Sequence, residues 1–373
     1  FVLSPLVAQL SLTYLPYGTS LALELAAALA ALRAVRTRRR WAAAGAGLAL
    51  GTAAFARPYD AVLAGLALAL ALLVRERHRL RPLLPLLAPA LAGAALPVLG
   101  LLLYNRAMTG DPLRLAFLLL EPADRPGLGL RRALPTDPLL DFTAGRAATA
   151  LGRSLLLVVA WTAGGALTAA LAVATLVRRR LRATAVPVAL LLVWPAGYAL
   201  FWGSYVATVV WGGALFLGPY YHLPMVAMLA VAGGVGLADL WTWRPAVATV
   251  TAAAMVLLSV PVLVPALEEQ ADRNAARQVV ADLVDSRVET PALVFVPPVY
   301  GPYLQNPFSF LRNRPDLDGP VVYALDGDAG RNERVLEAHP DRAAYRLVLD
   351  DGWSDDPGFA PAAHLERLRP ASM

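Results

Sequence analysis

A chain of 373 residues is long enough for two or three water-soluble domains. Hydrophobic residues, however, make up 58% of it and charged residues only 16%, where soluble domains carry about a quarter charged. Mean hydropathy is +0.54, and the net charge of +6 comes from 33 basic residues, every one arginine, against 27 acids. With no cysteine, disulfides, thiol catalysis and thiolate metal sites are excluded. The arginine-only usage, beside so much Ala, Gly and Pro, points to a GC-rich genome rather than to chemistry.

Taken in chain order, the apolar residues fall into Leu/Ala/Val runs of the length needed to cross about 30 Å of hydrocarbon. The chain opens at Phe1 directly on such a run, with no basic stretch before it, and reads as lacking an upstream part. Expected spans are 1–14, 17–35, 41–56, 59–74 and 83–104, then 152–176, 184–202, 223–240 and 245–266 after a polar stretch. Residues 135–150 carry Leu139, Leu140, Phe142, Ala147 and Ala150, an approximate helical stripe suited to a surface helix.

Alternate connections carry arginine clusters: Arg36, Arg38, Arg39 and Arg40; Arg75, Arg77, Arg79 and Arg81; Arg178, Arg179, Arg180 and Arg182; and Arg244. That is 13 arginines against the single acid Glu76. The other connections hold Arg57, no basic residue over 203–222, and six arginines offset by five acids over 105–150. The positive-inside rule then puts the clusters in the cytoplasm and the remaining connections outside. Every expected span alternates correctly under that assignment.

After Ala266 the composition changes. Residues 267–373 hold 18 acids and 11 arginines, a net of −7, whereas residues 1–266 hold 22 arginines and 9 acids, a net of +13. The basic residues therefore mark topology beside anionic lipid, and no nucleic-acid partner is expected. In the tail, 267–286 reads as a charged helix, and 292–296, 320–325 and 344–349 as strands. Residues 332–338 read as a helix between the last two strands, giving a small, partly parallel α/β sheet.

No nucleophile elbow, P-loop or dinucleotide fingerprint is present, and His78, His222, His339 and His364 are too scattered for a histidine metal cluster. Asp326-Gly327-Asp328-Ala329-Gly330 opens like a calcium loop but lacks its later ligands, so an Asp/Gly turn is expected there. The informative residues lie at the expected outer face. Arg57-Pro58-Tyr59-Asp60 joins two short spans, with Pro58 suited to a first helical turn. Arg57 has two readings: a bidentate phosphate ligand, or a partner of Asp60 or of the lipid headgroups.

Glu24 lies inside the second expected span, as a functional acid or as a partner of Arg57 or a tyrosine. Tyr104-Asn105 with Thr109-Gly110-Asp111-Pro112, and Gly218-Pro219-Tyr220-Tyr221-His222-Leu223-Pro224, bring further polar groups to the same plane. For the tyrosines an interfacial aromatic belt is the competing explanation.

Taken together with Leu3-Ser4-Pro5, Thr13-Tyr14-Leu15, Gly45–Gly51 and the tail phrases Pro340-Asp341-Arg342 and Tyr345-Arg346, these segments resemble the polytopic glycosyltransferases of the GT-C type. The likeness is to the actinobacterial protein-mannosyltransferase and arabinosyl- or aminoarabinose-transferase groups, and it extends over nearly the whole chain. It implies transfer of a sugar from a polyprenyl-phosphate carrier to an acceptor outside the plasma membrane. It also implies that Arg57 holds the lipid phosphate, while Tyr59, Asp60, Tyr104, Asn105, Tyr220, Tyr221 and His222 line the carrier–sugar cleft.

The family's catalytic carboxylate belongs to a loop that would precede Phe1, so the catalytic residue is unassigned; within this chain only Glu24, Asp60 and Asp111 are available. The family carries a basic residue in the segment matching Gly218–Tyr221, where this chain has Tyr220. No cofactor is assigned, and a divalent metal requirement stays open. The expected architecture is mainly α: about nine spans over residues 1–266, then an extracytoplasmic α/β domain over 267–373. A transporter or flippase of a lipid-linked envelope intermediate is the alternative, with a scaffold for a cell-wall partner as a third class.

Overall fold

A computed structural model describes residues 4–11, 15–78, 80–119, 121–132, 138–210, 217–297, 311–314, 316–350 and 362–370. Leu3, Thr13 and Tyr14 of the resemblance, Arg79 of the second arginine cluster, and the start of the 135–150 segment lie outside the described residues. The chain divides into two compact units, Phe1–Ala266 and Leu267–Met373.

The first unit is a helix bundle. Its helices are α1 (Pro5–Ser11), α2 (Tyr17–Thr37), α3 (Arg40–Ala56), α4 (Pro58–Glu76), α5 (Leu84–Thr109), α6 (Ala144–Ala160), α7 (Ala166–Arg178), α8 (Leu181–Tyr198), the single turn α9 (Trp202–Tyr205) and α10 (Leu223–Trp243). Ala- and Leu-rich runs favour helix intrinsically, and in hydrocarbon a helix satisfies its own backbone polar groups. Among the described residues six helices are long and apolar enough to cross a membrane: α2, α4, α5, α8, α10 and the helix that begins at Pro245. Leu91 and Leu96 of α5 are 70% and 74% exposed, an apolar face that water would penalise.

The expected 41–56 segment forms the 17-residue α3, about 25 Å long at 1.5 Å per residue and as short as expected, and the described residues of 1–14 form the seven-residue α1. The segment 152–176 is not one helix but two, broken at Trp161–Gly165, where Gly164 and Gly165 adopt φ of +77° and +52°. Two consecutive residues in the left-handed region end a right-handed helix, and glycine does so without a Cβ clash. The surface helix read over 135–150 is also corrected: Leu140–Phe142 is a strand, β2, paired antiparallel with β1 (Gly129–Arg131), and helix begins only after the Thr143 N-cap.

Helices α3 and α5 approach closely because glycines face backbone. A Cβ on Gly47 would lie 1.8 Å from the Ala90 carbonyl oxygen, and one on Gly93 2.0 Å from that of Ala44. This is the small-residue packing that lets membrane helices touch without a hydrophobic driving force. Helix α2 packs on α3, α4 on α8, and α7 on α10. Arginine ends meet acids and carbonyls: Arg179 holds Asp239 at 2.8 Å, and Arg38 donates to the Pro82 carbonyl at 3.0 Å.

The final helix of the bundle, α11 (Pro245–Arg287), does not stop at the expected boundary. The 245–266 span and the charged 267–286 helix are one continuous element, with Pro261 and Pro265 accommodated inside it. In the second unit, the strands β3 (Ala292–Val296), β4 (Val321–Leu325), β5 (Ala343–Leu349) and β6 (Ala363–Arg369) form a sheet in the order β4-β3-β5-β6. The first three are mutually parallel and β6 is antiparallel to β5. One face packs Val294 and Val296 on Val280 and Val284 of α11; the other packs Leu293 and Phe295 on Val335 and Leu336 of α12 (Ala329–Ala338). β6 was not read from the sequence.

Candidate functional site

The polar centre of the first unit lies where α3 ends and α4 begins. Arg57 closes α3, its φ of −150° breaking the helix, and Pro58 starts α4 with its ring in the first turn, where no N–H is required. That geometry places Asp60 in the first turn of α4, three residues from Arg57, beside the helix's positive end. Arg57 Nε donates to Asp60 Oδ2 at 2.5 Å, and Nη2 reaches Asp60 Oδ1 at 3.4 Å and the Tyr198 hydroxyl at 3.1 Å. The Tyr198 hydroxyl in turn donates to Asp60 Oδ1.

The face of the guanidinium rests on an aromatic ring. Arg57 Cζ is 3.9 Å from the centroid of Tyr17 and 5.7 Å from that of Tyr221, a cation–π arrangement. Nη1 is left: among the described residues it makes no hydrogen bond, and the Arg57 side chain keeps 17% of its surface accessible. The cation is thus oriented on one edge and one face, and open on another edge.

Around it the rings interlock. Tyr198 stacks on Trp194 at 5.9 Å, and its ring lies 5.4 Å from Tyr221 and 5.3 Å from His222. Trp194 Nε1 donates to the Tyr221 carbonyl at 2.8 Å. Tyr59 donates to the Gly197 carbonyl at 2.6 Å and sets its ring edge-on to Tyr198. Tyr220, at the place where the resemblance implies a basic residue, is buried against Tyr17 at 5.2 Å. His222 is buried with Nδ1 unbonded among the described residues.

Glu24, two turns below Tyr17 on α2, is 7% exposed. Its Oε1 accepts from Ser20 at 2.8 Å, while Oε2 is buried with no hydrogen-bond partner among the described residues. It interacts electrostatically with both Asp60 and Arg57. Glu24 also lines a small cavity walled by apolar side chains of α2, α3, α4, α8 and α10, among them Leu50, Leu68, Leu190 and Met228.

The structure therefore brings Arg57, Tyr59, Asp60, Tyr220, Tyr221 and His222 together, with Glu24 beside them. No hydrogen bond or ring contact among the described residues joins Tyr104, Asn105 or Asp111 to this cluster. Tyr104 is half-exposed and meets Phe55 at 6.3 Å. The buried Asn105 amide donates to the Pro112 carbonyl at 3.2 Å, and the Asp111 carboxylate accepts from the Leu113 N–H at 2.9 Å. These bonds close the turn after α5.

Sequence reasoning missed Tyr17, Trp194, Tyr198 and Phe201, whose ring lies 5.8 Å from that of Tyr198 and 5.2 Å from that of Tyr221. Trp194 and Tyr198 stand four apart on one helix, a spacing that stacks side chains, and that was the available signal.

The polar stretch before β1 is pinned beside Phe201. The Gly127 N–H donates to the Leu200 carbonyl at 2.7 Å, and Trp202 Nε1 donates to Asp124 Oδ1 at 3.2 Å. Burial pushes the Asp124 carboxyl up to about 6, opposed by the Trp202 bond and reinforced by the nearby charge of Glu121. Glu121 is itself paired with Arg132 at 2.5 Å.

In the second unit, Asp326–Gly330 is a capping turn. Asp328 accepts from the Arg331 N–H at 2.8 Å, and Asn332 donates to Asp326 Oδ1 at 2.6 Å. No group of three or more His, Asp or Glu side chains able to hold a metal occurs among the described residues.

Fold and site define a bundle of apolar helices with a cation–aromatic centre, followed by a small α/β unit. Residues 292–372 match the model of a family described as a domain of unknown function, DUF7846. No curated protein and no solved structure matches the chain.

Proposed function

We propose that the chain is a membrane-embedded glycosyltransferase of the GT-C kind, with Arg57 holding the phosphate of a polyprenyl-phosphate-linked sugar donor. The observation that carries this reading is the Nη1 edge, unbonded among the described residues, of a guanidinium whose other edge is fixed by Asp60 and Tyr198 and whose face is fixed by Tyr17. An arginine held this way offers paired N–H donors to a phosphate without reorganising. In this reading about nine segments are embedded in the bilayer, the arginine-rich ends face the cytoplasm, and residues 267–373 lie outside the plasma membrane.

In the reaction, the acceptor oxygen bonds to the anomeric carbon as the carbon–oxygen bond to the phosphate breaks. The electron pair leaves on the phosphate, where Arg57 stabilises it, and the acceptor proton passes to a base that remains unassigned. Asp60 is occupied in orienting Arg57, and Asp111 in its turn.

A second reading, a transporter or flippase of a lipid-linked intermediate, is favoured by one observation: the Glu24 carboxylate inside the bundle, on a cavity wall.

The test is to reconstitute the full-length protein with polyprenyl-phosphate sugars and measure released polyprenyl phosphate. The transferase reading expects release that Arg57→Ala abolishes at unchanged expression. Movement of the intact donor across the bilayer without release supports the transporter instead.

A further inference from the structure

We infer that the Arg57 site takes up a phosphate together with a proton, and that Glu24 carries the proton; the inference rests on the reading of Arg57 as a phosphate ligand. The cluster holds one cation, Arg57, and two carboxylates, Asp60 and Glu24, each within electrostatic reach of the others.

Among the described residues, no cation besides Arg57 acts on Glu24. Helix α2 offers Tyr17 and Ser20, α4 offers Tyr59 and Asp60, and α8 offers Tyr198. Ahead of α10 stand Tyr220, Tyr221 and His222, and His222 bonds neither carboxylate.

A phosphate arriving at Nη1 draws on the same guanidinium charge. Two carboxylates and a phosphate would then share one cation in a poorly solvated site, where unbalanced charge is costly. Moving Asp60 would not relieve this, because Asp60 orients Arg57 and already accepts from Arg57 and from Tyr198. Glu24 is placed differently. Its Oε1 is bonded to Ser20, its buried Oε2 has no hydrogen-bond partner among the described residues, and the residue lines the apolar cavity. A proton on Oε2 removes one negative charge without breaking any bond in the cluster.

The test uses the full chain in lipid nanodiscs and farnesyl phosphate as the probe. Titration calorimetry in two buffers of different ionisation heat counts protons taken up per ligand. The wild type is expected to take up about one proton beyond the phosphate's own share, with affinity falling about tenfold per pH unit above the point where Glu24 ionises. Glu24→Gln is expected to bind with only the phosphate's own share. Should that variant fail to fold, infrared difference spectra of the wild type give the same answer: a protonated-carboxyl band appears as farnesyl phosphate is added.

Equal proton uptake by wild type and Glu24→Gln, or no carboxyl band in the wild type, overturns the inference. Inorganic phosphate showing the same coupling would mean that the headgroup suffices; coupling with farnesyl phosphate alone would mean that the chain is needed. Both support the proposal. Binding unaffected by Arg57→Ala removes the reading beneath it, whereas Arg57-dependent binding without proton uptake removes this inference alone.

Discussion

The guanidinium carbon of Arg57 sits 3.9 Å from the ring centre of Tyr17, the first residue of α2. A helix with no other bond to Arg57 among the described residues thereby fixes the plane of the cation. Cation–π contacts of this kind are worth about 1 kcal/mol where partly desolvated. Tyr17→Leu should weaken farnesyl phosphate binding about fivefold, while Tyr17→Phe should retain most of the affinity. Equal affinities for the Leu and Phe variants would show that the ring contributes only bulk.

The α3–α5 contact gives a stability prediction. A side chain at Gly93 meets the backbone of Ala44, which cannot move aside as a flexible side chain does. Gly93→Leu should destabilise the bundle by about 1–3 kcal/mol or more, read as a lower unfolding temperature in detergent. Gly18, whose added Cβ would meet nothing within 4 Å, serves as the control position: Gly18→Ala should leave the unfolding temperature nearly unchanged. Comparable losses for both would refute the close-packing account.

Asp124 supplies a pH dependence. Its folded-state value, about 6, lies above the ordinary 3.8, so the folded loop binds the proton more tightly than the unfolded one. The stabilisation is complete below about pH 4 and is lost as pH rises through about 6. Amide protection over residues 121–132, corrected for intrinsic exchange, should therefore fall between pH 4 and pH 7 in the wild type. In Asp124→Asn it should be flat. A wild-type loop whose protection rises over that range would reverse the assigned sign.

The helical class and the α/β tail were legible because hydropathy and strand runs are local. Each of Ala292–Val296, Val321–Leu325 and Ala343–Leu349 is a β-rich run bounded by turn residues. β6 was hidden because Ala363–Arg369, an edge strand with the pattern AHLERLR, mixes His, Glu and Arg among few apolar residues. The break in the 152–176 segment was hidden inside an apolar run, where two glycines look like ordinary small residues of a span. The continuity of α11 was hidden because hydropathy changes at Ala266 while the helix does not.

The candidate site was half legible. Arg57, Asp60 and the Tyr220–His222 segment stood out as polar groups at helix ends. Tyr17, Trp194 and Tyr198 did not, because an aromatic residue near a span end has an ordinary interfacial explanation. Only tertiary contact separates the Tyr198 that bridges Arg57 and Asp60 from the Tyr104 that meets Phe55.

The central claim is that Arg57 is an oriented phosphate ligand, and farnesyl phosphate affinity measured for wild type and Arg57→Ala tests it most directly. Charge-assisted bonds of this type contribute about 1.5–3 kcal/mol, so the account predicts at least about a tenfold loss in the variant. Unchanged affinity in a correctly folded Arg57→Ala protein would contradict it.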